Sequence, residues 1–69
     1  MSKFYAGLCQ LWNGQLAPPY EATVLEENSE AEAVEAAKRW AQIVERREDA
    51  WLVVQFEGAP IARFNPDGF

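Results

Sequence analysis

The segment SEAEAVEAAKRWAQIV, residues 29–44, decides the fold. Ser29 followed by Glu30 and Glu32 has the form of a capping box, in which the hydroxyl caps the first turn and Glu32 reaches back to the Ser29 amide. Glu30, Glu32 and Glu35 crowd the start, and Lys38, Arg39, Arg46 and Arg47 gather towards the end. A helix dipole favours that charge gradient. At about 100° per residue, Ala33, Val34, Ala36, Ala37, Trp40, Ala41, Ile43 and Val44 fall within roughly half the circumference. The spacing predicts one amphipathic helix, ended by Glu48-Asp49. Its alanines would let the backbone approach closely, with Trp40 filling the space at one edge.

The segments on either side supply what this helix covers. Lys3–Trp12 reads as a strand that is apolar on both faces. Phe4, Ala6, Leu8 and Trp12 lie on one; Tyr5, Cys9 and Leu11 lie on the other. Strands of that kind are usually covered on both sides. Asn13-Gly14 is a strong turn signal, but Pro18-Pro19 predicts a connection longer than a two-residue hairpin. Tyr20–Glu26 resumes alternation as a second strand. Beyond the helix, Ala50–Phe56 sets Leu52, Val54 and Phe56 against Trp51, Val53 and Gln55. Glu57–Pro60 turns into a short last strand, Ile61–Phe64, whose leading proline suits a sheet edge. The expected architecture is a small α+β domain over residues 1–69, in the order β-β-α-β-β. One helix packs on one face of a three- to four-stranded antiparallel or mixed sheet.

The chain has 69 residues, and a core of that size supplies only about 3–5 kcal/mol of net stability. Small domains commonly add a disulfide, a metal or a partner subunit. Cys9 is the only cysteine and histidine is absent, so neither an internal disulfide nor a zinc site of the usual Cys/His kind can be assembled. Self-association is left as the expected further source of stability. Eleven acids against six bases give a net charge of −5, which repels phosphate backbones and anionic membranes. No apolar run approaches the ~20 residues of a membrane span. Phe4–Cys9 is apolar but too short for a signal-peptide core of ~7–15 residues with a cleavage site. A cytoplasmic location is the default expectation.

Catalysis finds little to work with. The commonest general acid–base group, histidine, is missing. The adjacent carboxylates Glu26 with Glu27, and Glu48 with Asp49, should point apart into solvent. Cys9 has no histidine to activate it, and the four glycines form neither a phosphate loop nor a dinucleotide fingerprint. Asn65-Pro66-Asp67-Gly68 is what a turn requires rather than a calcium loop. The basic residues Lys38, Arg39 and Arg46 share the polar arc of the helix with Glu35, Gln42 and Glu45, which fits a solvated face better than a nucleic-acid surface. The composition therefore points to no enzyme, no cofactor, no metal, no nucleic acid and no membrane, and it names no small-molecule ligand.

The sheet face opposite the helix is the expected working surface. An exposed apolar patch bearing a tryptophan is uncommon on a monomer and typical of an interface. The candidate interface residues are Tyr5, Leu11, Trp51, Val53 and Ile61, with Cys9 among them. Cover by the Pro18-Pro19 loop or by the tail with Phe69 is the competing possibility. The leading expectation is a non-catalytic binding or assembly domain that self-associates, as a dimer, through this face.

The element order resembles the β-grasp arrangement of ubiquitin-like proteins across the whole chain. That resemblance implies a monomeric adaptor that binds another protein, with the first strand paired in parallel with the last. The end Asp67-Gly68-Phe69 departs from the Gly-Gly through which ubiquitin-like modifiers conjugate. A small enzyme is the third class; it would require a concave pocket holding a carboxylate with a raised pKa.

Overall fold

A computed structural model describes every residue, Met1–Phe69. The elements run β1 (Ser2–Trp12), β2 (Gln15–Leu16), β3 (Glu21–Glu27), α1 (Glu30–Ile43), β4 (Ala50–Phe56) and β5 (Ala59–Phe64). This is the β-β-α-β-β order with one addition, the two-residue β2. Every pairing is antiparallel. β1 is central, with β4 on one side and β5 beyond it; β3 and then β2 line the other side. β3 and β4 thus run parallel to each other with β1 between them, and α1 crosses from one to the other over a single face.

The long connection expected after Asn13-Gly14 does not form. Asn13 and Gly14 adopt φ of 51° and 79°, the doubly left-handed turn whose twist suits a two-residue hairpin. Leu11 then faces Leu16 and Trp12 faces Gln15. Further down, Leu8 faces Glu21 and Ser2 faces Glu27. Between the two blocks the return strand gains two residues. The prolines cannot donate to a ladder, so they are looped out. Ala17 N–H donates to the Gln10 carbonyl at 2.8 Å before them, and Tyr20 N–H to the Leu8 carbonyl at 3.0 Å after them. β2 and β3 are one return strand with a Pro18-Pro19 bulge. Because the insertion is of two residues, the alternation of faces survives it.

The helix follows its sequence signals at the start and departs from them at the end. Ser29 caps it, its hydroxyl accepting from Glu32 N–H at 3.2 Å. The reciprocal half of the box differs: the Glu32 carboxylate accepts from the Ser29 hydroxyl at 3.4 Å, where reach-back to the amide was expected. Ser29→Ala should cost about 1 kcal/mol, read as a lower urea midpoint with an unchanged slope. An unchanged midpoint would mean that the cap contributes nothing. Ala33, Ala37 and Ala41 are the buried stripe, so the backbone does come down on small side chains.

The helix stops at Ile43, five residues before the expected Glu48-Asp49 end. Val44 turns extended, and tertiary contacts take over. Arg47 N–H donates to the Tyr20 hydroxyl at 3.0 Å, and Ala50 N–H to the Arg47 carbonyl at 3.1 Å. Arg46 and Arg47 therefore lie in the α1–β4 connection. Ile43 is also not part of the apolar face. It lies about 200° around the axis from Ala41 and is 83% exposed.

The core lies between α1 and the near face of the sheet. Ala6, Leu8, Ala37, Ala41, Ala50, Leu52 and Val54 form it, flanked by Leu25, Val34, Trp40, Val44 and Phe64. Phe4 and Phe56, directly opposed on β1 and β4, close one end with ring centroids 4.9 Å apart. Tyr20 and Phe69 border the same core. Three cations cap its rim: Lys38 over the Phe64 ring at 4.6 Å, Arg46 over Phe69 and Arg47 over Tyr20, both at 4.2 Å. The tail with Phe69 thus belongs to the helix side and leaves the other face of the sheet alone.

Candidate functional site

Strand register sets the composition of the second sheet face, because directly opposed residues in an antiparallel pair share a side. Tyr5 lies between Val24 and Gln55, Gly7 between Ala22 and Val53, and Cys9 beside Trp51. Leu11 faces Leu16 where the β1–β2 arm extends past β4, and Val53 faces Arg63 on β5. No helix or second sheet lies over this surface. Tyr5, Leu11 and Val24 are 46%, 49% and 51% exposed, and Trp51 is half-buried. Four of the five expected interface residues, Tyr5, Leu11, Trp51 and Val53, therefore share one face.

Ile61 does not join them. The ladder between β4 and β5 slips between Val54 and Gln55, pairing Val54 with Ala62 and Gln55 with Pro60. Ile61 is the extra residue of that bulge and packs against the core cluster on the helix side. A bulge inverts the side-chain alternation locally, so a count by twos from Phe64 misplaces it. Trp12 is exposed for a different reason. It keeps the side of Gln10, as expected, but lies on the β1–β2 arm that extends past β4, where it is 72% exposed.

The middle of the face is not bare. Cys9 and Val53 are buried there, and what shields them is the proline bulge. A Cβ built on Gly7 would stand 2.8 Å from Pro19 Cβ, so the Pro19 ring rests directly on the strand where β1 has no side chain. The competing possibility, cover by the Pro18-Pro19 loop, is met in part, over the centre alone. Both prolines remain exposed and form a low ridge. One hollow beside it, of about 190 Å³, is lined by Tyr5, Gly7, Cys9, Ala22, Val53 and Gln55. Another, of about 330 Å³, lies between the ridge and β5, walled on one side by Leu16–Pro19 and lined on the other by Cys9, Val53, Gln55, Pro60 and Arg63.

No family model, curated protein or solved structure matches this chain. Its chemistry is therefore judged on its own side chains. Burial pushes the Cys9 thiol above its ordinary pKa by desolvation, which opposes thiolate formation. Glu26 and Glu27 face opposite sides of β3, Glu26 opposed to Lys3 and Glu27 to Ser2. Asp49 accepts from the Gln10 amide at 3.2 Å, and the Gln10 side-chain oxygen in turn accepts from the Arg47 guanidinium. No group of three or more His, Cys, Asp or Glu side chains is placed to hold a metal ion. No helix is long and apolar enough to cross a membrane.

The β-grasp resemblance ends at element order. β1 pairs with β4, antiparallel, and the last strand pairs only with β4. Ala22, Val24, Leu16 and Arg63 also belong to the face, through pairings that no local pattern reveals. The alternation of Ala22 and Val24 was visible, but aligning it with Tyr5 and Gly7 requires knowing that Pro18-Pro19 is a two-residue insertion.

Proposed function

We propose that this chain is a non-catalytic binding and assembly domain that self-associates, as a dimer, through the sheet face opposite the helix. The observation that carries the reading is that face itself: apolar, uncovered by any layer, and bearing Tyr5, Leu11, Val24 and Trp51 at its surface. Charge supports a second copy as the occupant. The molecule carries −5, yet the only charged residues in register on this face are Lys3, Glu26 and Arg63. Two copies can therefore meet here with little of the repulsion that their acids would produce elsewhere. The two longer extents are 35 and 23 Å, an outline of about 800 Å², so an interface of standard size would use nearly the whole face.

Association by strand addition is disfavoured at both edges. β3 carries Glu21, Glu26 and Glu27, and β5 carries Pro60 and a bulge; charges, proline and bulges are the devices that blunt sheet edges. Face packing is the remaining route.

The test is solution mass by light scattering at two concentrations, for the wild type and Trp51→Glu. A wild-type dimer is expected, with the variant a folded monomer of unchanged circular dichroism. A central aromatic anchor contributes about 2 kcal/mol or more, so the dissociation constant should rise by about thirtyfold or more. A wild type that stays monomeric at high concentration would remove the reading and leave the monomeric adaptor. A dimer unmoved by Trp51→Glu would assign association to another surface.

A further inference from the structure

The Pro18-Pro19 ridge stands on the very face proposed for self-association, and two sheets packed face to face are only about 10 Å apart. A ring standing on one sheet must enter a depression in the other. In a two-fold dimer the same patch serves both copies, so the two ridges cannot both lie on the axis. Each must be received by a hollow of the partner.

The hydrogen-bonding character of the ridge selects the hollow. Ala17 N–H is committed to the Gln10 carbonyl and Tyr20 N–H to the Leu8 carbonyl, and the two prolines between them have no N–H. The ridge residues 17–19 can therefore offer a partner only carbonyl oxygens and apolar rings. The hollow towards β5 has the complementary character. Its floor is Cys9 and Val53, one wall is the chain's own Leu16–Pro19 segment, and the opposite rim carries donors, the Gln55 amide and the Arg63 guanidinium, so a partner's ridge entering it lies alongside the resident one. Arg63 donates only and has five N–H groups to give; it is exposed and stacked on no ring.

We infer that the Pro18-Pro19 ridge of each copy seats in the Cys9–Val53 hollow of the other, where Arg63 and Gln55 donate to the ridge carbonyls. The inference rests on the self-association proposed above. It makes Pro18, Pro19 and Arg63 the residues that set the register and specificity of the dimer. Gly7 is the reason the ridge is low enough to fit, because any side chain there would lift Pro19 off the sheet.

The test uses the full chain. Arg63→Ala lies on an exposed edge position outside the core, so it should fold normally and raise the dimer dissociation constant at least tenfold. Pro18→Ala/Pro19→Ala should do the same, and the triple variant should lose less than the two effects together, because both remove one contact. Should the proline variant fail to fold, isotope-filtered NOE spectra of a mixed labelled and unlabelled wild type answer the same question. They are expected to show contacts between Pro19 ring protons and Val53 methyls of different copies. A dimer that Trp51→Glu dissociates but Arg63→Ala leaves intact, without those contacts, overturns the ridge-in-hollow inference while the face reading stands. A wild type that is monomeric throughout overturns both.

Discussion

Leu52→Ala is expected to leave the isolated chain largely unfolded at 25 °C. Leu52 is fully buried at the middle of β4, between Leu8 on β1 and Phe64 on β5. It belongs to the same cluster as Ala37 and Ala41 of the helix. Those neighbours are small or held by the ladder, so the site cannot collapse around a missing isobutyl group. Removing a leucine from such a position costs about 2–5 kcal/mol, the larger values where relaxation is poorest. A core in a chain of this size provides about 3–5 kcal/mol in all, so the two quantities are comparable. Urea unfolding followed by circular dichroism should show a native baseline that is short or absent. A variant whose midpoint falls only slightly would mean that the core is larger or more plastic than seven clustered residues imply. The proposed dimer would add concentration-dependent stability, so the comparison should be made on the Trp51→Glu background as well.

The same cluster shows why much of the fold could be read from sequence. The helix was visible because its signals are local: a serine cap, acids at the start, and alanines spaced at three and four. Ala33, Ala37 and Ala41 needed no partner to be placed on one side. β1 and β4 were visible because strict alternation, with Leu8, Leu52 and Val54 on one parity, is also local. What escaped was set by contacts between distant segments. The helix ends at Ile43 although nothing in Val44–Arg47 forbids another turn. It ends because the Tyr20 hydroxyl accepts from Arg47 N–H and because Phe69 and Tyr20 take the two guanidinium groups. Tyr20 lies 27 residues from Arg47, beyond any local pattern.

The candidate face was legible in part for a related reason. Tyr5 and Leu11 share a side by parity within β1, and Trp51 and Val53 by parity within β4, while the register that sets the two pairs on one face is visible in neither strand alone. Ile61 could not be read in that way, because the bulge that turns it towards the core depends on how Pro60 meets Gln55 across the ladder. The role of Pro18-Pro19 was half visible. Proline as a ladder breaker was evident, but a breaker can end a hairpin or be looped out of one. Tyr20 N–H bonding back to the Leu8 carbonyl resolves the choice, and that bond exists because β1 is long enough to pair on both sides of the interruption.

Gly7→Ala should therefore have an effect far larger than one methyl group usually produces on a strand, where alanine replaces glycine at little cost or some gain. The added Cβ would lie 2.8 Å from Pro19 Cβ and 3.3 Å from Pro19 Cγ. A long flexible side chain could swing away from such a contact. A proline ring cannot, because its Cβ is fixed to the backbone and its φ is locked. The bulge must move, and it is held at both ends by the Ala17–Gln10 and Tyr20–Leu8 hydrogen bonds. Overpacking of this kind costs about 1–3 kcal/mol, a large share of the stability of a chain this small. The disturbance should travel along a defined route. Lifting Pro19 strains the Tyr20 N–H bond, and Tyr20 in turn carries the Arg47 guanidinium and caps the α1–β4 connection through its hydroxyl. Hydrogen exchange should accordingly show faster exchange at Tyr20 and Arg47 amides, while Leu52 and Val54 fall only with global stability. Equal stability and unchanged protection at Tyr20 would mean that Pro19 does not rest on Gly7. Selective loss at Tyr20 and Arg47 would identify the glycine as the position that lets one proline bulge shield the sheet, aim a tyrosine at the helix end and shape the face for a partner.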